Sequence, residues 1–211
     1  MINEWYNQTL GERTCDALRD NGFIASYHEN RNTAIEYVSG LIENNARVGF
    51  GGSVTTDELG LREIARNKGA VLIDHHQPGL SDEERFLVMR DQLLSDVFIC
   101  SANAITEMGE IVNVDHIGNR VGALIFGPRK KIVVAGINKV VANIDAAWER
   151  IARESAPKNN KRLNKQNPCV VAGQCVNCQS ETRICRSYVT FKKRPYMGEF
   201  HVLLIGENLG L

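Results

Sequence analysis

The chain has 211 residues, 43% of them hydrophobic and 24% charged, and its 25 basic and 25 acidic side chains give a formal net charge of zero. This composition is typical of globular domains and excludes a disordered chain. No apolar run approaches the roughly 18 residues of a membrane span, so none is predicted. The first residues, MINEWYNQTLGERTCDAL, lack the features of a signal peptide, and we therefore expect a cytoplasmic protein. No aromatic-basic motif indicates nucleic acid as a partner.

Helical and strand patterns alternate along the chain. Apolar spacing predicts helices at 4–20, 31–44, 53–69, 81–94 and 143–154. Short apolar runs predict strands at 23–28, 46–52, 70–74, 97–102, 110–115, 131–136 and 199–206. This order predicts an α/β fold with a mostly parallel sheet that is covered on both faces.

The region after residue 156 differs from the body. Residues 157–168, PKNNKRLNKQNP, are poor in apolar side chains and are interpreted as a linker or exposed loop. A cysteine-rich segment follows. The final strand, EFHVLLIG, is apolar enough to return to the main sheet. The predicted organisation is an α/β domain over 1–156 and an excursion with a returning strand over 157–211.

A glycine-rich turn at residues 49–60, GFGGSVTTDELG, joins a strand to a helix. The backbone at Gly51, Gly52, Ser53 and Thr55 is suited to approach a phosphate or carboxylate. The turn matches neither a Walker loop nor a GxGxxG fingerprint. The alternative interpretation is a tight turn in which Ser53 or Thr55 caps the helix.

A second group of polar residues lies in 101–128, near predicted strand ends, where open α/β sheets build ligand crevices. Glu107 is a candidate acid/base, Asn103 and Asn119 are candidate orienting groups, and Arg120 is a candidate clamp for an anion. Asp115 belongs to the same group. The alternative is turn chemistry, because Asn, Asp and Gly are common in tight turns.

These motifs, with the run VVAGINKVV, resemble the LUD-domain family of lactate-utilisation proteins, typified by LutC and the N-terminal part of LutB. The resemblance covers roughly residues 1–155. It implies a three-layer fold of the sugar-phosphate isomerase and CoA-transferase type, and a role in oxidising L-lactate to pyruvate with iron–sulfur partner subunits. It also implies that residues 51–55 bind an anionic substrate, that Glu107 is an acid/base or nucleophilic carboxylate, and that Lys139 adds positive charge. Asp115 is the second catalytic candidate, as a polar orienter beside Glu107.

Four cysteines fall within seventeen residues, at Cys169, Cys175, Cys178 and Cys185. Two thiols separated by two residues can bind one metal from a single turn, and the outer pair can complete four ligands. The spacing indicates a metal site without naming the metal. The family's association with electron transfer favours a [4Fe-4S] cluster, and a structural zinc ion is the alternative.

Three hypotheses follow for function. The first is a component of a system that oxidises lactate or a related 2-hydroxy acid. The second is a non-catalytic docking or ligand-sensing subunit with a zinc site, and the third, from fold analogy alone, is an isomerase or acyl-CoA-type transferase. A homodimer is common for this architecture. Cys100 is expected to be packed, and His75 and His76 to lie in a loop without forming a metal pair.

Overall fold

The computed structural model describes residues 1–211 and contains two sheets. The strands are β1 (Ile24–His28), β2 (Arg47–Phe50), β3 (Val71–Ile73), β4 (Val97–Cys100), β5 (Ala104–Thr106), β6 (Ile111–Asp115), β7 (Lys130–Gly136), β8 (Val140–Val141), β9 (Ser187–Phe191) and β10 (Glu199–Ile205). Six of them form an all-parallel main sheet in the order β1-β10-β7-β4-β2-β3. The predicted α/β class and parallel sheet are confirmed.

Nine helices surround the sheets. They are α1 (Ile2–Asp20), α2 (Arg31–Leu41), α3 (Val54–Glu58), α4 (Leu61–Asn67), α5 (Asp82–Gln92), α6 (Asn119–Ile125), α7 (Ile144–Arg150), α8 (Ala156–Arg162) and α9 (Pro168–Ala172). One apolar cluster packs α1 and α6 on one face of the main sheet, and a second packs α2 and α4 on the other. None of these helices combines the length and apolar character that crossing a membrane requires.

A second sheet, which the sequence patterns do not predict as such, has the order β8-β5-β6-β9. Its β6 pairs antiparallel with both β5 and β9. A small apolar cluster of Ala104, Val112, Ala147 and Ile151 packs this sheet against α7. The second sheet therefore ties the region after the cysteines to the body.

Two predicted elements have different boundaries in the structure. The helix predicted at 53–69 is divided at Gly60, which adopts a left-handed conformation with φ of 62°. The helix predicted at 143–154 continues through a π-helical turn at Ile151–Ser155 into α8. Half of the segment interpreted as a linker is therefore helical, and Pro157 lies two residues after the end of the π-helical turn.

The final strand lies inside the main sheet, as expected. β10 is hydrogen-bonded between β1 and β7, with Ala25 opposite Val202 and Val134 opposite Leu203. Phe200, Val202, Leu203 and Leu204 of this strand are completely buried. A strand with two neighbours and two covered faces favours such continuous apolar sequence.

Candidate functional site

A cavity of about 550 Å³ opens where β2, β3, β4 and β7 of the main sheet end. The carboxyl edge of a parallel sheet is the usual position of a ligand site in this architecture. The turn after β2 and the loops around β6 both contribute to its wall. Of the sequence-predicted site residues, the cavity is lined by Gly52, Ser53, Thr55, Asn103, Asp115, Asn119, Arg120 and Lys139.

Lys139 is the buried cation of this cavity. Its 3_10 turn follows β7 directly, and the residue is only 3% exposed. The Nζ atom donates to Thr55 Oγ1 at 2.8 Å and to Ser101 Oγ at 2.9 Å. No carboxylate forms an ion pair with it. Burial, together with the Arg150 and Arg120 charges, lowers the pKa of Lys139 to about 7.

Arg120 and Asp115 hold the neighbouring wall in place. Arg120 Nε donates to Asp115 Oδ1 at 2.8 Å, and its terminal nitrogens donate to the Ser101 and Val114 carbonyls and to Asn103 Oδ1. The second Asp115 oxygen accepts from the Val121 amide at 3.0 Å. Both side chains are thus engaged in joining the strand ends to α6, which is a positioning role.

The turn after β2 places Ser53 and Thr55 with different partners. Ser53 caps α3 by accepting from the Thr56 amide at 3.3 Å. Thr55 instead directs its hydroxyl to Lys139. Gly52 allows close packing of a histidine, because a Cβ there would lie 2.7 Å from His76 Nε2.

Gly51 is a packing position outside the cavity lining. A Cβ there would lie 2.9 Å from Cβ of Cys100, which is completely buried as expected. We predict that Gly51→Ala lowers the free energy of unfolding by about 1–3 kcal/mol through overpacking. Urea denaturation measures this change. Gly40→Ala is the control, since nothing lies within 4 Å of a Cβ at this helical position, and an unchanged stability of Gly51→Ala would contradict the prediction.

Glu107 lies apart from the cavity. It follows β5 in the turn to β6, and its carboxylate pairs with Arg13 of α1. The structure therefore does not bring this candidate acid/base to the other predicted residues. Asn119 lines the cavity at the start of α6, and its side chain makes no hydrogen bond within the chain.

Sequence reasoning did not single out several polar contributors to the wall, among them Ser101, Arg85 and Arg162. Ser101 directly follows the buried strand β4, and a polar residue at this strand end is the feature of the sequence that could have identified it. His75 and His76 lie in a loop as predicted, and both line the cavity. Burial lowers the pKa of His75 to about 4, so this ring is neutral at pH 7. Its Nδ1 lies 3.1 Å from Gln92 Nε2.

The four clustered cysteines meet beside this cavity. All are free thiols, and all four residues line a second, small cavity. Burial raises the pKa of Cys185 to about 11. No three His, Cys, Asp or Glu side chains of the chain are gathered closely enough to hold one metal ion. Four thiols are the donor type that zinc ions and iron–sulfur clusters both use.

The fold and site define an α/β protein with a ligand cavity at the carboxyl edge of a parallel sheet. A model of the LUD domain matches residues 11–205, and the chain belongs to this family, which is associated with lactate utilisation. The resemblance seen in the sequence is confirmed.

Solved structures also resemble the chain. A DUF162 family protein from Deinococcus radiodurans has a TM-score of 0.51 and 12% identity, over 94% of this chain and 96% of that one. This likeness supports the fold alone. A D-ribose-5-phosphate isomerase in complex with phospho-erythronic acid has a TM-score of 0.37 and 16% identity, over 64% of this chain and 66% of that one, which is too weak to carry a conclusion. No curated protein sequence matches the chain significantly.

Proposed function

We propose that the cavity binds the carboxylate of a small 2-hydroxy or 2-oxo acid, with Lys139 as the principal cation. The supporting observation is a buried ammonium group that lacks a carboxylate partner and faces a cavity. A buried charge without a partner is costly, and an anionic ligand supplies the missing charge.

The charges around the cavity favour the same class of ligand. Arg85 and Arg162 also line it, and its single acidic side chain, Asp115, is already paired with Arg120. The Thr55 and Ser101 hydroxyls hold Lys139 in place, and the free Asn119 amide is available to the ligand. An anion therefore meets an excess of positive charge at this wall.

Membership of the LUD family favours L-lactate or a related acid as substrate, in an oxidation that uses iron–sulfur partner subunits. Oxidation of a 2-hydroxy acid to a 2-oxo acid removes two electrons and two protons, one proton from the hydroxyl group and one from the α-carbon, and the electrons pass to the iron–sulfur partner. The cavity volume exceeds the size of a three-carbon acid and leaves room for a redox group of the electron-accepting partner.

Calorimetric titration with pyruvate and with L-lactate tests this proposal. We expect binding by the native chain and by Lys131→Met, and loss of binding by Lys139→Met. Lys131 is the matched control, since it is 2% exposed, donates to the Met197 carbonyl and does not line the cavity. Equal binding by Lys139→Met, or binding of neither acid to the native chain, would contradict the proposal.

The affinity for pyruvate is also expected to fall as the pH rises. The ammonium form of Lys139 attracts the carboxylate, and this form disappears above a pKa of about 7. We predict a decrease of about tenfold or more between pH 6.5 and pH 8.5. Calorimetry at the two pH values measures it, and a constant affinity would show that Lys139 does not supply the binding charge.

A further inference from the structure

The cysteine segment is held without an apolar core of its own. Residues 173–186 form neither helix nor strand, and most are exposed. Arg183 organises their backbone by donating to the Cys178 carbonyl at 2.6 Å and to the Cys185 carbonyl at 2.7 Å. A structureless loop of this length in a compact domain usually has a function or a bound anchor.

The thiols at the two ends of this segment are brought together. Cys169 lies in α9, and Cys185 lies two residues before β9, yet both line one small cavity with Cys175 and Cys178. The Asn167 amide helps to close the segment, donating to the Thr182 carbonyl at 3.0 Å. The backbone amide of Asn177 donates to Cys175 Sγ at 3.4 Å, a contact that stabilises a thiolate.

We propose that Cys169, Cys175, Cys178 and Cys185 bind an iron–sulfur cluster of the [4Fe-4S] type. A zinc ion holds four sulfurs at about 2.3 Å from one centre. A cluster binds each thiolate through a different iron, so its ligands stand farther apart. The structure has four thiols around a common space. Four thiolates suit either group, and the iron–sulfur chemistry that the family resemblance implies favours the cluster.

The cluster site adjoins the ligand cavity. Ala156, Ile184 and Cys185 line both cavities, so these side chains form a shared wall. One ligand of the cluster therefore also faces the site of the anionic ligand. The cluster goes beyond the proposed function, and its formation does not depend on which acid binds.

Anaerobic purification with iron, sulfide and zinc analysis tests the cluster directly. We expect about four iron and four sulfide per chain, and a broad absorption near about 400 nm that dithionite bleaches. One zinc per chain, or a colourless chain that remains without iron after anaerobic incubation with ferrous iron and sulfide, would overturn the assignment. Neither result affects the anion-binding proposal, which calorimetry tests separately.

Variants locate the cluster within the chain. Cys178→Ser and Cys175→Ser are each expected to lose most of the iron and the absorption, while Cys15→Ala keeps both. Cys15 is the control because it is buried on α1, away from the four clustered thiols. Full iron content in both serine variants would overturn the proposal. Circular dichroism excludes variants that fail to fold. The metal content of the native chain is the decisive measurement, since it does not depend on any substitution.

Discussion

Replacing Lys139 with methionine is expected to stabilise the protein by about 1–3 kcal/mol at pH 7 while abolishing anion binding. The ammonium group is 3% exposed and lacks a carboxylate partner, so folding removes it from water without full compensation. Methionine has a similar length and no charge to desolvate. In this variant the Thr55 and Ser101 hydroxyls each lose the hydrogen bond from Lys139, and this loss reduces the stabilisation.

The stabilisation by Lys139→Met should decrease as the pH rises. The folded pKa of Lys139 is about 7, below the usual value of 10.5. Between these values the unfolded chain binds more protons, so the stability of the native protein rises with pH. The free energy of unfolding of Lys139→Met relative to that of the native chain should therefore decrease by about 2–3 kcal/mol from pH 7 to pH 9.5. Urea unfolding at both pH values measures this, and a destabilised Lys139→Met at pH 7 would contradict the account.

Replacing Asp115 with alanine is expected to destabilise the protein by about 3–5 kcal/mol. The change leaves the Arg120 guanidinium, whose side chain is 14% exposed, without its counter-charge. It also removes the acceptor of the Val121 amide at the start of α6. Urea denaturation measures the loss.

Glu107→Gln is the matched control for Asp115→Ala. Glu107 also forms an ion pair, but with Arg13, whose side chain is 61% exposed. Exposed pairs contribute about 0–1 kcal/mol, so Glu107→Gln should change stability little and leave pyruvate binding intact. Equal losses of stability in the two variants would contradict the conclusion that the buried Asp115–Arg120 pair stabilises the fold more than the exposed Glu107–Arg13 pair does.

The main sheet was predictable because its strands are buried on both faces. Residues such as Ile132, Val133 and Val134 form continuous apolar runs, and this pattern does not depend on distant contacts. Helix α5 was equally clear, since Ser81 and Glu84 form a capping box that local sequence encodes.

The second sheet was not predictable as a unit. β5 has three residues and β8 has two, and such lengths carry little periodicity. The sheet is completed by β9, which pairs with β6 although it lies about 70 residues further along the chain. The continuation of α7 into α8 was hidden because residues 157–162 lack apolar spacing, although Asn160 is buried and bonded to Asn167.

The candidate site was only partly readable from residue types. Glu107 and Lys139 were both chemically plausible, but sequence does not show that one pairs with Arg13 and the other is buried. The five-residue spacing of Asp115 and Arg120 likewise hides their ion pair. The sequence predicts that the two loops converge, because both follow strand ends of one sheet. The hydrogen-bond or ion-pair partner of each side chain depends on packing between distant segments, which the sequence does not show.

The most direct test of the central claim is the titration of Lys139 itself by NMR, with the Lys139→Met variant used to assign its signal. The account predicts a pKa near 7 in the free protein and an upward shift when pyruvate is added. A lysine that titrates near its usual value of 10.5 and does not respond to pyruvate would contradict it.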